Sequence, residues 1–175
     1  MASTVERRWF AGIILAVIVL DRVTKLIAEA RLPRYLGVPV LGEFFHLQLV
    51  YNRGAAFGIH VGDLSRWVFM ALTLVALVVL ASMARHTKTG DGLRFYAIAA
   101  VMAGAAGNLI DRVRSSRGVV DFLDVTIGSF HWPTFNVADM AISCGAVALA
   151  LSLWSEGRVT PAAVPTPEVV PPDQG

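Results

Sequence analysis

Three aspartates, Asp121, Asp124 and Asp139, fall within "GVVDFLDVTIGSFHWPTFNVADM", Gly118 to Met140, where the chain leads into a long apolar run, "MAISCGAVALALSLW". An ionisable residue inside hydrocarbon costs at least about 2.5 to 3.5 kcal/mol on insertion scales, so carboxylates at such an edge point to chemistry before packing. Asp121 is the hardest to explain as structure, because "GVVDFL" surrounds it with apolar residues and offers no adjacent base. Two carboxylates that approach one another away from water cannot both ionise. One keeps its proton, leaving an acid and a base side by side near neutral pH. Such a pair can take a proton from water, direct the water at a peptide carbonyl and stabilise the oxyanion that forms.

Other polar residues gather at the ends of apolar stretches. Asp21 and Lys25 are four apart on one helical face and can neutralise each other. Asn108, Asp111 and Arg112 close the third stretch, and Asp111 beside Arg112 also reads as an interfacial charge pair. Asn136 and Asp139 open the fourth, in the positions of a helix cap and a carboxylate at the positive end of the helix dipole. Asn52 lies in a loop. The four histidines, His46, His60, His86 and His131, never fall at metal-ligand spacing, and no HExxH or paired CxxC is present, so neither a metal nor a cofactor is expected. The single cysteine, Cys144, excludes an internal disulfide. A net charge of +2 from scattered basic residues gives no reason to expect a nucleic-acid partner.

The elements that must position these groups are membrane helices. With 55% hydrophobic residues in 175, the chain is too apolar for an ordinary soluble domain. Apolar stretches at about 9–30, 67–84, 93–110 and 137–154 each approach the ~20 residues that cross ~30 Å of hydrocarbon. The first carries Asp21, Arg22 and Lys25, and its "AEA" at 28–30 also allows a signal-peptide reading, which those three charges fit poorly. The density of Arg and Lys near the N-terminus and in the 85–94 loop favours both termini in the cytoplasm. That orientation brings the conspicuous polar residues to one outer face. The 31–66 connection, with "FFHLQLVYN" among prolines and glycines, reads as a small sheet-like element on the outer surface. Gly54 and Gly58 are candidate flexible points in it, or simply turn glycines. The Pro-rich tail, 155–175, reads as disordered, leaving 1–154 as a single transmembrane domain.

Five motifs add what spacing alone does not. "DRVTK" (21–25), "NRGAAFGI" (52–59), "GNLIDR" (107–112), "VVDF" (119–122) and "FNVADMAI" (135–142) resemble, in order, those of the bacterial lipoprotein signal peptidases, or signal peptidase II. The resemblance implies an all-α membrane protein, a four-transmembrane-helix bundle with a small periplasmic β-cradle between helices 1 and 2. It implies an aspartic endopeptidase of the bacterial inner membrane that cleaves diacylglyceryl-modified prolipoproteins immediately before the lipidated cysteine. By motif position the catalytic dyad is Asp121 and Asp139. Asn52, Asn108, Arg112 and Asn136 match residues of the substrate and inhibitor site, while Asp21, Lys25 and Asp111 support it. Asp124 stays outside the dyad. The implied partners are prolipoproteins, membrane lipids and globomycin-type peptide inhibitors, and the implied state is a monomer. A proton-coupled carrier using the same carboxylates, and a non-catalytic scaffold held together by its polar cluster, are the competing readings.

Overall fold

The computed structural model describes residues 3–54 and 62–156. Four helices and a four-stranded sheet follow one another in the order α1 (Thr4–Arg31), β1 (Val38–Leu41), β2 (Phe45–Asn52), α2 (Ser65–His86), α3 (Gly92–Arg114), β3 (Val119–Ile127), β4 (Phe130–Phe135) and α4 (Val137–Glu156). Three helices, α2, α3 and α4, are long and apolar enough to cross a membrane. At 28 residues α1 is the longest, and its charged face replaces part of the apolar surface.

α3 is the centre of the bundle, packed by α1, α2 and α4. Its buried stripe is built from small residues, among them Ala99, Ala103, Gly104 and Gly107, so neighbouring backbones come close. A Cβ at Gly104 would fall on the carbonyl oxygen of Ala138, and one at Gly107 would lie 2.8 Å from the Asp21 carboxylate and 3.3 Å from the Ala138 Cβ. Gly145 of α4 answers from the other side, where a Cβ would meet the Ala97 carbonyl at 2.9 Å. This contact sets where the first turn of α4, with Asp139, sits relative to α1 and α3.

The sheet is antiparallel throughout, in the order β1-β2-β3-β4. Here the structure corrects the sequence reading. The β element is not confined to 31–66 between α1 and α2, because half of it comes from the connection between α3 and α4. β3 runs through the middle and carries Asp121, with Val119, Val120, Asp121 and Phe122 all buried. "VVDFLDVTI" is a β-favouring run interrupted by carboxylates. A strand covered on both faces also loses the apolar alternation that marks a half-exposed one. Gly118 turns the chain into β3 with φ +110°, where a Cβ would collide with the Asn52 carbonyl. The α1 helix runs unbroken through 28–30 to Arg31, with Asp21, Lys25 and Ala28 buried, so it is an integral part of the bundle. Gly58 and nearly all of the tail, from 157 onward, lie outside the described residues.

The close packing of α3 on α4 generates a test. Gly104→Val should lower stability by about 1 to 3 kcal/mol through overpacking and reduce any activity that depends on Asp139. Thermal unfolding in detergent, compared with a variant at an exposed α2 position such as Val78→Ala, measures the difference.

Candidate active site

β3 and the start of α4 deliver two carboxylates to one residue between them. Asn136, fully buried, donates from its side-chain amide to Asp121 Oδ1 at 2.7 Å, and its backbone N–H donates to Asp139 Oδ2 at 3.2 Å. The Asn136 side-chain oxygen accepts the Asp139 N–H at 2.9 Å, so Asn136 and Asp139 form a reciprocal cap on α4. That cap fixes Asp139 in the first turn, where the helix dipole favours a negative charge.

Each carboxylate has a second amide partner. Asn52, the last residue of β2, donates to Asp121 Oδ2 at 3.0 Å, and its own oxygen accepts the Gly54 N–H at 2.9 Å. Asn108 of α3 donates to Asp139 Oδ1 at 2.8 Å. The Asn108 oxygen faces the other way and accepts Lys25 Nζ at 3.0 Å. Because an ammonium has only donors, Lys25 sets which end of the Asn108 amide meets Asp139.

Lys25 is fully buried and uses all three of its donors. Besides Asn108 it meets Asp21 Oδ2 and Asp111 Oδ2, each at 2.8 Å. The Asp21 Oδ1 accepts the backbone N–H of Ala138 at 2.9 Å, linking α1 to the turn of α4 that bears Asp139. Asp111 accepts the Val120 N–H at 3.3 Å beside Asp121, and Arg22 at 3.4 Å. Two carboxylates and two cations thus balance in a buried knot under the Asp121–Asp139 pair.

Burial, and next the charge of Asp139, push the Asp121 carboxyl up to about 7, against the two amides that donate to it. Asp124 takes a different course. Alternation along β3 turns it to the opposite face of the sheet, where it meets His131 Nε2 at 2.7 Å. Arg112 Nη2 donates to the Gly54 carbonyl at 3.2 Å, and its guanidinium lies 5.7 Å from the centre of the Phe69 ring. Among the described residues no group of His, Cys, Asp and Glu is arranged to hold a metal ion.

Asp121, Asp139, Asn52, Asn108 and Arg112 all border one cavity of about 750 Å³, which extends between α2, α3 and α4. Its walls are mostly apolar, with Phe69, Leu72 and Leu80 from α2 and Val101 and Ala105 from α3. A polar end carrying two carboxylates opens into an apolar trough among membrane-length helices.

The family model described as signal peptidase (SPase) II matches residues 13–155. The chain belongs to the signal peptidase II family. Like that family, it is an aspartic protease. The lipoprotein signal peptidase of Hydrogenovibrio crunogenus is 45% identical over 161 residues, covering 90% of each chain. That of Oleidesulfovibrio alaskensis is 42% identical, covering 84% of this chain and 96% of its own. A solved bacterial membrane enzyme matches this peptidase with a TM-score of 0.78 at 30% identity, over 85% of this chain and 89% of that one. The relatives named are peptidases, and they give no support to a carrier.

The structure brings together all nine residues singled out in the sequence, in two layers. Asn52, Asn108, Arg112, Asp121 and Asp139 border the cavity end, and Asn136, Asp21, Lys25 and Asp111 lie behind them. Two contributors escaped the sequence reading. Arg22 completes the charge balance from within "DRVTK", and "WPTF" of β4 borders the cavity. An aromatic run holding a proline is the signal of an edge strand, which could have found the second.

Removing the charge behind the site gives the test of this layering. Lys25→Met leaves Asp21 buried without a counter-ion and Asp111 with Arg22 alone, and should cost about 3 to 5 kcal/mol. Urea unfolding of the detergent-solubilised protein reads the loss, and an unchanged midpoint would contradict the buried ion network.

Proposed function

We propose that this signal peptidase II removes the signal peptide from diacylglyceryl-modified prolipoproteins by water activated between Asp121 and Asp139. The observation that carries the reading is the clamping of both carboxylates by Asn136 at the end of one apolar cavity. Asp139, at the N-terminus of α4 and accepting two N–H groups, acts as the base. It takes a proton from water, and the water oxygen attacks the carbonyl immediately before the lipidated cysteine. Asp121 holds its proton near neutral pH and gives it to the developing oxyanion. The tetrahedral intermediate then collapses, the C–N bond breaks, and the proton on Asp139 passes to the departing amine while Asp121 recovers its own.

The density of Arg and Lys near the N-terminus and in the 85–94 loop supports a placement in the membrane. α1 serves as the fourth span, its charges hidden against α3. Both termini then lie in the cytoplasm, and the site stands near the periplasmic face of the bacterial inner membrane, with the sheet above it. The trough between α2 and α4 admits a substrate sideways from the bilayer. One chain contains the whole network, which supports a monomer. Globomycin-type peptides are expected in the same cavity by family resemblance.

Asp121→Asn and Asp139→Asn, each assayed on a purified lipidated precursor, should lower cleavage by at least about a thousandfold, as for residues that act as a unit. Normal cleavage by either variant sinks the assignment. In the parent, kcat/KM should fall tenfold per pH unit above about 7, as Asp121 loses its proton. The linkage has a definite sign. A carboxyl raised from 3.8 to about 7 in the folded state makes folding weaker as pH rises between those values. Asp121→Asn removes that penalty, so the inactive variant should be as stable as the parent at pH 8 or more so, whereas a purely structural role predicts a loss.

A further inference from the structure

We propose that the extended segment of the substrate beside the scissile bond binds as a fifth strand, paired along the outer edge of β4. The inference rests on the peptidase reading above and concerns how the substrate is held. β4 is the last strand of the sheet order, with β3 on one side and no further described strand on the other. Four consecutive residues, Trp132, Pro133, Thr134 and Phe135, border the cavity that holds Asp121 and Asp139. Side chains alternate along a strand, so four in succession cannot all reach one cavity by pointing into it.

The pairing shows which do. Trp132 stands opposite Val125 and Phe135 opposite Leu123, so both share the face of Asp121, two residues before Leu123 in β3. Between them β4 takes three steps while β3 takes two, which makes Pro133 and Thr134 a bulge opposite Asp124. Asp124 belongs to the other face, where it meets His131. Pro133 and Thr134 therefore border the cavity along the backbone edge. A proline, having no N–H for a ladder, is tolerated in a strand at such an edge.

The edge also leads to the chemistry. One residue past Phe135 is Asn136, which holds both carboxylates, so a peptide aligned with β4 arrives at the dyad where the strand ends. From Trp132 to Phe135 the bulged strand keeps pace with two steps of β3, about 7 Å at ~3.3 Å per residue, room for two or three substrate residues. The need for such an edge is general. A signal peptide that leaves its helix to expose the scissile bond frees backbone N–H and C=O groups where little water is present, and strand addition satisfies them.

An ester scan of the substrate tests this without altering the enzyme. In a synthetic peptide carrying a diacylglyceryl cysteine, each backbone N–H from four residues before the cysteine to four after it is replaced in turn by oxygen, leaving out the scissile bond. With the full-length enzyme, kcat/KM should drop about three- to tenfold at every second position on one side of the cysteine and change little between, as expected for losing single hydrogen bonds to a strand. Equal losses at consecutive positions, or none anywhere, would overturn the proposal. Cleavage of the unmodified peptide by Asp121→Asn would instead overturn the dyad, so the two readings fail separately.

Discussion

Two carboxylates are held on one buried asparagine, with the pKa of one raised by burial and by the other's charge, and the rest of the polar architecture answers to that constraint. Asp121 is buried on β3, while Asp139 is partly open to the cavity and stands in the first turn of α4. A single asparagine between them contacts both. The settings differ. Burial favours the protonated form of Asp121, whereas Asp139 accepts two N–H groups at the start of α4.

The supporting network works by direction as much as by charge. Lys25 turns the oxygen of Asn108 toward itself and so presents the amide hydrogens to Asp139, while Gly54 does the same for Asn52 against Asp121. Asp21 joins Lys25 to the backbone of Ala138, and the small face of α3 lets α4 come close enough for that bond to form. Glycine contacts, buried ions and asparagine amides are thus successive links of one chain of positioning.

Much of this was legible in the sequence, for identifiable reasons. Helices were visible because apolar length is a strong signal, and the expected 67–84 and 137–154 spans lie within Ser65–His86 and Val137–Glu156. The ordered motifs singled out the polar residues that the fold brings together, and alternating helix directions predicted their convergence. Pairings were not legible: nothing in "DRVTK" says that Lys25 meets Asn108 or that Arg22 meets Asp111. Nor was the second half of the sheet, because β3 is covered on both faces and carries its carboxylates there, which conceals the strand period. Most of "NRGAAFGI" lies in 55–61, outside the described residues.

The proposed chemistry turns on the proton of Asp121. Infrared difference spectroscopy of the enzyme in lipid, titrated from pH 5 to 9, reads the carbonyl band of a protonated carboxyl directly. The expected band disappears with a midpoint near 7 and is missing in Asp121→Asn but not in Asp124→Asn. A spectrum with no protonated carboxyl at pH 6, or a titrating band that survives Asp121→Asn unchanged, would contradict it.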